Sequence, residues 1–256
     1  MTISVDVAPP KLRQASARVS FAGARVVAAL MLREMVGTSG RLAGGYLWTI
    51  LQPVATIAFM SFIFSLGFKN PRLGTNFPIF HATGFLPYGM TMFLVGKMAG
   101  ALSSTAKLME YPRVTFVDAL TAKLILNVLT QLIICTIVFT GIKLIFVSRT
   151  ALVMHKILLS FAMVISVGAG VGTLNCFLFT MFPLWQKIWG VLTAPLLIMS
   201  GVIFLHDTVP EPYRSWLAWN PLVHIVGEMR SAFYYSYPAD YVELTYVFAF
   251  SIVTLT

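Results

Sequence analysis

A chain of 256 residues that is 58% hydrophobic and only 11% charged, with a mean hydropathy of +0.83, cannot clothe a soluble globular surface. Lipid is the solvent for most of it, so the expected class is an all-α integral membrane protein. Its net charge is +9, and six of its 18 Lys and Arg precede the first expected span, where basic residues set membrane orientation.

Residues 1–15 read as a cytoplasmic tail. Met1 to Lys11 shows no apolar run followed by a small-residue cleavage site, so no signal peptide is expected and the first span serves as the insertion signal. Over residues 16–41, Arg18, Arg25 and Arg33 alternate with Phe21, Val26, Val27, Leu30 and Met31 at roughly helical spacing. That predicts an amphipathic helix lying on the cytoplasmic face, with its arginines toward anionic headgroups. It runs straight into the apolar stretch Tyr46-Leu47-Trp48-Thr49-Ile50-Leu51-Gln52-Pro53.

Windows of about 20 residues, the length that crosses the hydrocarbon layer, predict six spans within a 46–256 transmembrane domain: 46–67, 82–104, 118–146, 153–182, 185–206 and 240–256. With alternating threading, ten Lys and Arg fall on the side of the N-terminus and seven on the other, which puts both termini in the cytoplasm. Between spans two and three, Ser103 and Ser104 can cap a short helix that Pro112 ends. Its residues Lys107, Leu108, Met109, Glu110 and Tyr111 suit a docking element, or a solvated loop. Between spans five and six, Pro210, Pro212, Pro221 and Pro238 forbid one continuous helix over 206–239. Short re-entrant helices in the outer leaflet are expected there, or an interface-hugging loop. Trp216, Trp219 and Tyr234 would anchor in headgroups or stack on sugar rings.

Inside the spans the polar residues are few. Lys123, Asn127 and Gln131 recur every four residues on span three, a seam that either bonds neighbouring helices or lines a path for a hydroxyl-rich substrate. Lys97 can snorkel or attract an anionic chain, and Tyr46 and Gln52 on span one offer a second lining. Gly168, Gly170 and Gly172, with Asn175, form a small-residue packing face.

Several chemistries are disfavoured. The nine acidic residues fall near the membrane faces, so an ion-coupled carrier lacks its relay carboxylate. The P-loop pattern GxxxxGK[ST] does not occur, so uphill transport needs energy from a partner. Four scattered histidines and the absence of HExxH or GxSxG give no catalytic residue and no metal site, and Cys135 and Cys176 read as small core residues. A membrane-embedded transferase is the rival class, and it would need clustered Asp, Glu or His on one loop.

An ordered series of segments resembles a known family: Leu30 to Glu34, GYLWTILQP, NFPIFHATGFLPY, the helix ending at Tyr111-Pro112, SGVIF from Ser200 to Phe204, and WNPLVHIVGEMR from Trp219 to Arg230. Together they resemble the permease subunits of ATP-binding-cassette polysaccharide exporters, most closely the KpsM-type capsular polysaccharide export proteins. The resemblance implies a homodimer of six-span subunits in the bacterial inner membrane, bound to two nucleotide-binding ATPase subunits that hold the ATP and Mg, with no cofactor in this chain. It implies that 107–111 is the coupling helix and that the cargo is a lipid-linked polysaccharide. A periplasmic adaptor and an outer-membrane export protein would receive that cargo, and nucleic acid has no part. O-antigen and teichoic-acid exporters share this plan. Family members usually continue into a basic cytoplasmic tail, so the sequence is expected to stop early after a 17-residue sixth span.

Overall fold

The computed structural model describes residues 22–39, 45–105, 115–146 and 152–256. Helix α1 (Ala22–Ser39) precedes α2 (Gly45–Gly67), α3 (Phe77–Ala99), α4 (Ala101–Thr105), α5 (Phe116–Ile145) and α6 (Met154–Met181). Helix α7 (Pro183–Met199), a 3₁₀ turn (His206–Thr208), α8 (Tyr213–Leu217), α9 (Pro221–Phe233) and α10 (Leu244–Leu255) complete it. Helices α2, α3, α5 and α6 are long and apolar enough to cross a membrane. At 1.5 Å per residue, the 17 residues of α7 reach about 25 Å and the 12 of α10 about 18 Å, short of the ~30 Å hydrocarbon layer.

The ends of the elements depart from the hydropathy windows for local reasons. Span two starts at Phe77 rather than 82, because Asn76 is its N-cap and Pro78 preorganises the first turn. It breaks at Gly100 into α4, where Ser103 and Ser104 sit inside the helix and bond back to the carbonyls of Gly100 and Ala101 instead of capping a new one. Helix α5 starts two residues early, since Thr115 and Asp118 close a capping box. Helix α7 stops at Met199, seven residues short of the expected 206, as Gly201 turns the chain with φ +73°. The last helix begins at Leu244 rather than 240, after a turn in which the Val242 N–H donates to the Ala239 carbonyl.

Helix α3 is the hub, packed against α2, α5, α6 and α9. Its tightest partner is α6, and glycines explain the approach. A Cβ on Gly172 would stand 2.5 Å from Met98 Cβ, and one on Gly168 2.9 Å from Leu94 Cβ. One on Gly170 would stand 2.6 Å from the Ser251 carbonyl of α10, so alternate glycines open opposite sides of α6 to two neighbours. Cys135 and Cys176 are buried free thiols in this packing. At the periphery, α7 contributes no buried residue and α2, among its described side chains, only Ile57 and Ser61, leaving Phe59, Phe62 and Leu66 exposed.

Candidate functional site

An open cavity of about 370 Å³ lies between α2, α3 and α5. Thr49 and Gln52 come from α2, Phe85, Gly89 and Phe93 from α3, and Gln131 from α5. Pro53 also lines it, and having no N–H to donate to the carbonyl of Thr49 it interrupts the helical ladder of α2 beside the cavity. Gly89 adds no side chain to the α3 wall. The result is an aromatic and aliphatic wall faced by two carboxamides and a hydroxyl, groups that exchange hydrogen bonds with sugar hydroxyls without fixed charge to trap them.

The seam on α5 divides. A step of four residues overshoots a full helical turn by about 40°, so Gln131 points about 80° away from Lys123. Lys123 is buried against α4 and α1: its ammonium donates to Ser104 Oγ and lies 3.7 Å from Glu34. Asn127 is buried and donates from Nδ2 to the Lys123 carbonyl at 2.7 Å, bonding its own helix. Lys97 is exposed, with its ammonium 5.2 Å from the centroid of the Phe93 ring that walls the cavity. Of the residues expected along a path, the structure therefore gathers Gln52 and Gln131 in one cavity, with Lys97 beside it. Lys123 and Asn127 serve helix contacts, and the Tyr46 side chain lies outside the described residues.

The α1 segment packs on α5, and Arg25 and Arg33 on it are exposed. Arg18 and the whole docking stretch from Lys107 through Leu108, Met109 and Glu110 to Tyr111 lie outside the described residues.

At the opposite end of the bundle, α9 is buried from Leu222 to Phe233 against α6 and α3. Its Arg230, only 1% exposed, donates from Nη1 to the Phe204 carbonyl at 2.9 Å and from Nη2 to the Val202 carbonyl at 2.7 Å. Its guanidinium also sits 4.6 Å from the Phe80 ring centroid. Sequence reasoning missed this residue because nothing in its spacing distinguishes a buried arginine from a surface one. Trp216 and Trp219 are exposed, as headgroup anchoring requires, whereas Tyr234, grouped with them, is buried over Gly74. His224 is held between the Ala218 carbonyl and the Glu243 N–H, and His206 bonds the Arg214 carbonyl, so these two imidazoles tie the non-spanning segments together.

Residues 25–234 match the family described as ABC-2 type transporter. The chain is 29% identical over 229 residues to the polysialic acid transport protein KpsM of Escherichia coli, an alignment covering 90% of this chain and 89% of that one. It is 25% identical to the capsule polysaccharide export inner-membrane protein CtrC of Neisseria meningitidis serogroup B, over 90% of this chain and 87% of that one. With the capsule polysaccharide export inner-membrane protein BexB of Haemophilus influenzae it shares 24% identity, over 82% of this chain and 79% of the relative.

Proposed function

This chain belongs to the ABC-2 type transporter family, and from that membership we propose that it is the permease subunit of an exporter carrying lipid-linked capsular polysaccharide across a bacterial inner membrane. The observation that carries the reading is the alignment, along about nine-tenths of the chain, with inner-membrane proteins of polysialic acid and capsule transport. The cavity between α2, α3 and α5 supports it, since carboxamides and phenylalanine faces suit a moving glycan better than an ion.

In this reading two copies associate. The exposed apolar faces of α2 and α7 favour that, because a short helix such as α7 sits in the bilayer more readily against a second protein than against lipid alone. Helices α7 and α10 then complete a six-helix plan, with α8 and α9 returning into the outer leaflet and both termini in the cytoplasm. Residues 107–111 dock on a separate ATPase that binds ATP and Mg, while Arg18, Arg25 and Arg33 meet anionic lipid and the anchor phosphate. A periplasmic adaptor and an outer-membrane export protein take the glycan onward.

Deleting the gene in its own cell should trap polysaccharide inside and strip it from the surface, and the wild-type gene supplied with its ATPase should restore it. Unchanged surface glycan in the deletion strain would reject the proposal.

A further inference from the structure

Besides the cavity between α2, α3 and α5, a smaller one of about 140 Å³ opens where α2 ends and α3 begins. Pockets for drug-sized ligands run to roughly 300–1,000 Å³, so this one suits a single ring-sized group. Its walls are aromatic: Phe64 from the last turn of α2 and Phe68 just after it, Phe77 and Phe80 from the first turns of α3. Phe64 and Phe68 stack with centroids 6.0 Å apart, and the Phe64 and Phe77 rings flank the His81 imidazole at 4.9 and 6.4 Å. His81 is 3% exposed, and its Nε2 has no hydrogen-bond partner among the described residues. A buried imidazole nitrogen left without a partner among phenylalanines costs free energy unless a ligand or solvent group meets it.

Charge adds a second argument. Asn70 and Arg72 line the cavity, exposed Lys69 adjoins them, and no carboxylate lines it among the described residues. Behind the wall, the Arg230 guanidinium lies against the Phe80 ring and binds the carbonyl of Phe204, another lining residue. The field at this place is positive and its surface is flat and apolar. Rings that present C–H faces to phenylalanine, a hydroxyl to an imidazole, and a carboxylate to arginine are those of acidic sugars.

Resting on the exporter reading above, which puts this end of the bundle outside the cytoplasm, we propose that the cavity between Phe64, Phe68, Phe77, Phe80, His81 and Arg72 is a subsite for one acidic sugar ring of the emerging glycan. It holds the chain by stacking and one ion pair, contacts weak enough to release with each advance.

The test uses the complete permease and ATPase complex in nanodiscs, with Asn70→Cys introduced on a background in which Cys135 and Cys176 are serine. Methyl glucuronide should slow labelling of the new thiol by a hydrophilic maleimide severalfold, and methyl glucoside should slow it much less. Phe68→Ala and Arg72→Gln change exposed side chains, so the fold should survive while the concentration needed for protection rises about tenfold. No protection by methyl glucuronide in a complex that exports glycan in cells would overturn the subsite and leave the exporter reading standing. Equal protection by the neutral glycoside, or by phosphatidylglycerol added to the nanodisc in place of sugar, would also overturn it. Failure of the exporter reading is read separately, from unchanged surface glycan in the deletion strain.

Discussion

Arg230 Nη2 donates to the main-chain carbonyl of Val202 at 2.7 Å, and that one bond joins the buried helix α9 to the turn that ends α7. The turn at Gly201 leaves carbonyls that no helix can satisfy, and a fork-shaped guanidinium reaches two of them at once. A lysine has the charge but not the fork. Arg230→Lys should therefore lower the melting temperature of the detergent-purified permease, and Arg230→Met more so, with about 1–3 kcal/mol lost for each buried carbonyl left bare. Gly84→Val should act similarly, because its Cβ would stand 3.1 Å from both the guanidinium and the Val202 carbonyl. An unchanged melting temperature in all three would show that the fork is not a structural tie.

The ion pair between Lys123 and Glu34 fixes α1 to the start of α5. Glu34→Lys should loosen α1, read as faster proteolysis or hydrogen exchange over 22–39. Restoring complementarity with Glu34→Lys and Lys123→Glu together should recover protection. Because Glu34 is partly exposed, the effect should weaken in high salt. If the double variant behaves like the single one, the pair does not position α1.

Glycine spacing on α6 predicts a graded packing series. Gly172→Val drives a side chain into Met98 and should cost about 1–3 kcal/mol, with reduced yield of folded permease. Gly141→Ala on α5, where nothing among the described residues lies within 4 Å, should be silent. Equal yields for both would mean that α3 and α6 do not pack through these glycines.

Much of this architecture was legible because crossing a bilayer is a one-dimensional demand: apolar runs announced α2, α5 and α6 to within two residues at each end. Ends governed by single residues were harder to read. The Asn76-Phe77-Pro78 start of α3 and the Gly201 stop of α7 depend on caps and on one positive φ, which a hydropathy window averages away. The seam on α5 was visible as a four-residue repeat. Its division was not, because the 40° drift per step matters only once the neighbours of Lys123 and Gln131 are known. Arg230 and His81 carried no signal at all, since burial of a polar group is decided by the partners that surround it.

The claim that the α2, α3 and α5 cavity carries the glycan meets its most direct test in photocrosslinking within cells. A photoreactive amino acid is placed at Gln52, at Gln131, and at Leu129, which is exposed on the same helix as Gln131 and does not line the cavity. With the ATPase arrested by a substitution that blocks hydrolysis, Gln52 and Gln131 positions should capture polysaccharide and the Leu129 position should capture none. Equal capture at Leu129, or none at Gln52 and Gln131 in cells whose export resumes when the arrest is lifted, would contradict the account.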